Sequence, residues 1–365
     1  MMVTQQALAV FDKGRDNNFN LIRFVASLSV VITHAIALST GNTFYGPLHH
    51  FGSFVAIIAP DVFFVASGYL ITASLLVRGE ARNFVVARVL RIYPALWLTV
   101  LTVAFVVGPW VTTLPLADYF AQPLLWSYLA HNLTVLFGAS EGLPGVFTHL
   151  PYPNAVNGSL WTLPYEVRLY VALLIGWWLV GKLAADRLRM LAAVIVSLAL
   201  LTLAAKLATH FYFGQERNML RLAPPFFIGS AFYLFRDRIA LRRGYFVAAL
   251  TLMLLASPWL QAFYVVDQFC IAYLTLYLAY VPGGVIRRFN RIGDCSYGIY
   301  IYSFPLQQLL VMSMPGIGPW SLMAWSVGVA LPLSLLSWHF LEKPALALLR
   351  KSRAPAVKPA LAVPT

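Results

Sequence analysis

The first apolar run of the chain, LIRFVASLSVVITHAIAL at residues 21 to 38, carries two groups able to do chemistry, Arg23 and His34. An arginine is a fixed cation, whereas a histidine titrates near neutral pH and can take a proton from a hydroxyl. Ionisable groups inside an apolar run cost roughly 2.5–3.5 kcal/mol each on insertion scales and usually mark function. If the run is helical, the step from Arg23 to His34 rises about 16 Å and turns about 1100°, which leaves both within some 20° of one face. That face joins an anion-binding group at one end to a base at the other. Taken singly, an arginine that snorkels to headgroups and a histidine bonded to a neighbouring helix explain each residue as well.

Further ionisable residues within or beside apolar runs are Asp61, Arg91, Glu166, Arg168, Lys206, Arg221, Asp267, Asp294, His339 and Glu342. Asp61 opens DVFFVASGYLI and lies roughly 24 Å from the far end of its run, close to the roughly 20 Å of His34. A carboxylate at that depth can fix an imidazole tautomer; capping or mending a helix after Pro60 is the structural alternative. Ser67 and Gly68 suit close helix packing by small residues. Arg88 and Arg91, three apart in RNFVVARVLRIYPALW, share a helix face, and guanidinium groups pair well with phosphate. Ordinary charge at a membrane edge accounts for them otherwise. Glu166, at the start of a helix, either serves a site on the His34 side or simply favours the helix dipole. Tyr152, Trp161 and Tyr165 nearby can stack on sugar rings, and aromatics are also common at a membrane interface.

The elements that must position these residues are membrane spans. Of 365 residues, 60% are hydrophobic and 11% charged, against about 25% charged in a soluble domain. Apolar runs of about 18–24 residues recur from end to end, each long enough for a hydrocarbon core of roughly 30 Å. The expected fold is an all-α polytopic bundle of ten helices, at about 21–38, 54–77, 88–107, 167–181, 190–209, 220–235, 245–258, 262–281, 295–313 and 320–341. The domain reading is a tail over 1–16, a transmembrane domain over 17–350 with a long outer loop over 108–166, and a second tail over 351–365. Within the loop, the Tyr119–Phe137 stretch predicts a re-entrant or interfacial helix.

The basic residues fall in alternate gaps: Lys13 and Arg15; Arg78, Arg82 and Arg88; Lys182, Arg187 and Arg189; Arg236 to Arg243; Arg287, Arg288 and Arg291; and Lys343 to Lys358. Residues 39–53, 108–166 and 314–319 have no Lys or Arg. By the positive-inside rule both termini are cytoplasmic. The net charge of +13 therefore reports topology rather than a nucleic-acid partner. A cleaved signal peptide is disfavoured by the many later spans and by an arginine within the first. Cys270 and Cys295 lack metal or disulfide spacing, no metal site or phosphate-binding glycine loop is present, and no permanently bound cofactor is expected.

In order along the chain, the Arg23 to His34 spacing, DVFFVASGYLI (61–71), ARVLRIYP (87–94), GSLWTLPYEV (158–167), SYGIYIYSFPL (296–306) and FLEKP (340–344) resemble the motifs of the acyltransferase-3 family. These are integral membrane enzymes that O-acylate bacterial envelope glycans, and the resemblance spans about residues 17 to 350. It implies an acyltransferase of the bacterial inner membrane, with acyl-CoA as cytoplasmic co-substrate, acetyl as the expected group, and a saccharide or lipid-linked glycan as acceptor. Arg23, Arg88 and Arg91 would hold the donor, and His34 would act as base with Glu166 or Asp61 orienting it. Ser159, Trp161 and Tyr165 would meet the acceptor. Two departures are Ser303, where the family often has histidine, and the lack of a fused periplasmic domain that some members carry. A glycan or lipid transporter is the rival reading; internal halves with matching broken helices would support it, and none is visible.

Overall fold

A computed structural model of the chain describes residues 7–12, 14, 16–42 and 49–351, with side chains for all but 49–53, 350 and 351. Lys13, Arg15, Arg353 and Lys358, together with half of the first predicted tail and nearly all of the second, lie outside the described residues. Among the described residues the fold is all-α, without a strand.

A short helix, α1 (Leu8–Phe11), precedes α2 (Phe19–Thr40), α3 (His49–Arg78) and α4 (Ala81–Thr102), the last continued through a π turn (Val103–Val107) into α5 (Gly108–Val111). The long loop holds α6 (Leu116–Ala121) and α7 (Pro123–Thr134). A 3-10 turn (Gly158–Thr162) leads into α8 (Leu163–Leu183), followed by α9 (Arg187–Phe213), α10 (Asn218–Leu234), α11 (Arg243–Ala256) and α12 (Leu260–Tyr280). A second 3-10 turn (Gly284–Arg291) precedes α13 (Ser296–Ser313), and α14 (Pro319–Ser337) runs through a π turn (Trp338–Glu342) into α15 (Lys343–Lys351).

Each of the ten predicted segments falls on one of these helices, but only seven helices among the described residues are long and apolar enough to cross a membrane. The three exceptions have physical reasons. The 17 residues of α10 and 14 of α11 rise about 25 and 21 Å, less than a typical hydrocarbon core. Helix α13 is interrupted by polar side chains, including Gln307 and Gln308, which are fully buried; they bond the protein rather than face lipid. Helix α4 begins seven residues before its apolar run, because Phe84 and Ala87 are buried, and this places Arg88 and Arg91 well inside it. Helix α7, with 12 residues, rises about 18 Å and is too short to span.

Helix α3 passes through Pro60 without ending and packs tightly on α10. A Cβ added at Gly68 would run into the Phe226 carbonyl, and one at Gly229 into that of Val65. Such backbone contact is how helices associate when lipid gives no hydrophobic drive. Gly68→Ala is expected to force α3 and α10 apart and destabilise the fold by about 1–3 kcal/mol or more. The check is the thermal midpoint of the detergent-purified protein; an unchanged midpoint would contradict the packing.

The start of α2 is anchored by Asn18, whose Nδ2 donates to the carbonyls of Leu278 (3.0 Å) and Pro282 (2.8 Å). Asp12 accepts from the hydroxyls of Tyr69 and Tyr280 at 3.1 and 3.0 Å. These bonds tie the first residues to α3 and α12 and fix the level at which Arg23 enters the bundle.

Candidate active site

A cavity of about 410 Å³ runs between α2, α3, α4, α8, α10 and α13, within the usual range for ligand sites. Arg23, Arg88 and Arg91 line it together with His34, Glu166 and Trp161. Six residues expected from sequence to act at one site thus share one space.

At the Arg23 end, Arg23 Nη1 and Arg91 Nη2 both donate to Oδ2 of Asp294 at 2.5 Å. Arg91 Nη1 donates to Oε2 of Glu342 at 3.0 Å, and its Cζ lies 5.6 Å from the ring centroids of both Tyr297 and Trp338. Ser296 Oγ donates to Asp294 Oδ1 at 2.5 Å, and Ser337 Oγ to Glu342 Oε1 at 3.1 Å. Burial by itself would raise the Asp294 carboxyl, but the guanidiniums of Arg23 and Arg91, with Ser296, outweigh it and bring it down to about 2. Glu342 closes a π turn, a distortion frequent at functional sites. Spacing in the sequence treats the three arginines alike, and these carboxylates separate them. Arg88 has a buried Nε with no hydrogen-bond partner among the described residues.

Three turns along α2, the His34 ring meets Phe304 edge to face at 5.0 Å. Its Nδ1 is buried and has no hydrogen-bond partner among the described residues. Phe304 in turn packs on the 3-10 turn before α8, where a Cβ on Gly158 would come within 2.7 Å of the ring. Glu166, in the first turn of α8, accepts a bond from Ser67 Oγ at 3.3 Å and a short one from the Tyr170 hydroxyl. The Ser67-Gly68 pair therefore divides its work: Gly68 packs, and Ser67 reaches the cavity.

The far end of the cavity is built by the loop between α7 and α8. Asn132 holds it by two bonds to the Ser140 backbone, at 2.8 and 3.1 Å. The Glu141 carbonyl then accepts from Val156 N at 2.6 Å. Gln308 Nε2 donates to the carbonyls of Tyr152 (2.9 Å) and Ala155 (2.7 Å), and Asn157 Nδ2 donates to Ile301 O at 3.0 Å. Stitched to α13 in this way, the loop presents Glu141 and Tyr152 to the cavity that Arg221 of α10 also lines. Partial burial draws the Glu141 carboxyl upward from its ordinary value.

Three sequence-predicted residues are placed elsewhere. Asp61, expected near His34, is buried behind the cavity wall, where its Oδ2 accepts from Gln268 Nε2 at 2.9 Å and lies 4.0 Å from Lys206 Nζ. Position along a helix does not specify the face, and Asp61 points to α9 and α12. Ser159 is fully buried and Tyr165 lies under Arg168, whose Cζ is 5.5 Å from its ring centroid; neither lines the cavity. Arg168 itself donates to Leu136 O at 3.3 and 3.0 Å and so braces the loop. Sequence reasoning missed Glu141, Tyr170 and Tyr300, which line the site. Tyr170 carries a usable signal, since it stands four residues after Glu166 on one helix face. Glu141 sits in a loop with no periodicity to flag it.

The arrangement offers cations at one end, an unengaged imidazole in the middle, and an aromatic, carboxyl and guanidinium set at the other. That suits transfer between an anionic donor and a hydroxylated acceptor. A family model for an acyltransferase domain matches residues 16–339. The O-acetyl transferase of Shigella phage Sf6 is 27% identical over 340 residues, covering 90% of this chain and 96% of its own length. Nodulation protein 10 of Rhizobium leguminosarum bv. viciae is 28% identical over 368 residues, covering 92% and 94%. No solved structure matches the chain. With the family model spanning most of the sequence and seven helices fit to cross a bilayer, the chain belongs to the acyltransferase-3 family and is a multi-pass membrane acyltransferase.

Proposed function

We propose that the protein is a bacterial inner-membrane O-acyltransferase that moves an acyl group, acetyl in the first instance, from cytoplasmic acyl-CoA to a hydroxyl of a surface saccharide or lipid-linked glycan. The observation that carries this reading is the single cavity shared by Arg23, Arg88 and Arg91 at one end and His34 about 16 Å further along α2. The name of the phage relative, an O-acetyl transferase, supports the acyl group. The positive-inside pattern puts the Arg23 end and both termini in the cytoplasm, with α10, α11 and α13 as the shorter or more polar members of a ten-helix set.

In this reading the donor's phosphates meet Arg88 first, flanked by Arg23 and Arg91, and its thioester reaches His34. The acceptor hydroxyl gives its proton to the imidazole as its oxygen attacks the thioester carbonyl; the C–S bond breaks, and the proton passes to the departing thiolate. Glu166, already bonded to Ser67 and Tyr170, orients the acceptor or the imidazole. Asp61 acts from behind, holding the α3 wall against α9 and α12. The test is twofold: purified protein should bind acetyl-CoA, and a deletion strain should lose one acyl mass from a surface glycan by mass spectrometry. Absence of acetyl-CoA binding would leave a glycan or lipid transporter as the better reading.

A further inference from the structure

The cavity is lined by four guanidiniums, Arg23, Arg88, Arg91 and Arg221. Three of them sit at the Arg23 end, where Asp294 and Glu342 share the charge. Arg221 is different. It projects from the first turns of α10 at the other end, where Nη2 donates to the Ala56 carbonyl of α3 at 2.6 Å and Cζ lies 5.8 Å from the Trp161 ring centroid. Of its five N–H donors, this is the one hydrogen bond among the described residues, and no carboxylate there lies within ion-pair distance of it.

The carboxylates closest to hand are engaged. Asp61 pairs with Lys206 and Gln268, Asp267 accepts from Gln268 at 2.9 Å, and Glu216 faces His210 at 3.4 Å. Glu141 lines the same cavity but forms no ion pair with Arg221 among the described residues. With one carbonyl and one ring face as its contacts among the described residues, this half-buried cation keeps donors free toward the cavity. A guanidinium with open donors is shaped to take carboxylate or phosphate through two parallel bonds.

The geometry points to Arg221 as the residue that selects the acceptor, and to an acceptor that carries an anionic group, a uronate carboxylate or a sugar phosphate, seated beside Trp161. This rests on the acyltransferase reading for the identity of the cavity's two ends, since the donor's own phosphates would occupy the Arg23 end. Glu141 and Tyr152, which line the same cavity, would then take hydroxyls of the same sugar.

The experiment is direct binding by the purified full chain of three probes: methyl glucuronide, glucose 1-phosphate and methyl glucoside. The wild type is expected to bind at least one anionic probe about tenfold or more tighter than the neutral one, as charge-assisted pairing predicts. Which of the two binds identifies carboxylate or phosphate. Arg221→Gln should bring the three within about threefold, while Arg221→Lys, which keeps the charge and loses the fork, should retain part of the preference. Acetyl-CoA binding in the same samples controls for folding. Equal binding of all three probes, no binding of any, or a preference that survives Arg221→Gln would each overturn the assignment. Loss of acetyl-CoA binding by the wild type itself would instead overturn the acyl-CoA reading, leaving the probe ratios to judge the anion site alone.

Discussion

His34→Ala is expected to lower acyl transfer by roughly 10²–10⁴-fold, the range supplied by a positioned general base, while leaving acetyl-CoA binding within a few-fold of wild type. The split follows from the cavity. His34 lines it some three helical turns from Arg23, and its Nδ1 is not engaged by any described residue, so no hydrogen bond from Nδ1 to the described residues is lost with the imidazole. What is lost is one edge-to-face contact with Phe304. Transfer of labelled acetyl groups onto envelope glycan in isolated membranes gives the rate, and equilibrium binding to the purified protein gives the donor affinity. Equal transfer at equal protein level would remove His34 from the chemistry. Loss of donor binding as severe as that of an arginine variant would show that the donor is not measured out along α2.

Arg88→Gln should weaken acetyl-CoA binding by about 10–100-fold, the worth of charge-assisted hydrogen bonds to one guanidinium, and by more than Arg23→Gln does. Spacing alone gives no reason to rank the three arginines. The structure does, because Asp294 takes a bond from both Arg23 and Arg91 and Glu342 takes another from Arg91. Their charge is largely spent on holding the mouth together, whereas Arg88 keeps a buried Nε without a partner. Arg91→Gln is a different perturbation: it takes from buried Glu342 its guanidinium partner and from Asp294 one of two, so its loss should appear in stability as well as in affinity. Raised salt should weaken wild-type binding more than that of Arg88→Gln, since one phosphate contact is already gone. If Arg23→Gln is the more damaging change, Asp294 is not a competing anion but a support that yields when donor arrives.

Much of this molecule is legible without coordinates. Helical period and hydropathy locate all ten segments, because a residue facing lipid has nowhere to hide a polar group and its composition reports its surroundings. Period along one helix also puts Arg23 and His34 on one wall, a local relation that needs no second element. The limits appear where a second element enters. The segment of α13 is legible, but its polarity is explained only by its neighbours: the Nε2 groups of Gln307 and Gln308 donate to carbonyls of Val31, Tyr152 and Ala155 rather than facing lipid. Residue counting gives Asp61 and His34 similar heights, yet α3 turns Asp61 toward Lys206 and Gln268, because counting fixes height and only packing fixes azimuth. Glu141 reaches the site through Asn132, Ser140 and Val156, a route with no sequence period. The sequence by itself determined a membrane bundle with a cation and a base on one helix face. Tertiary structure decided which carboxylates neutralise which arginines, and left Arg88 and Arg221 open at opposite ends of one cavity, because charge pairing depends on side chains brought within a few ångströms from distant parts of the chain.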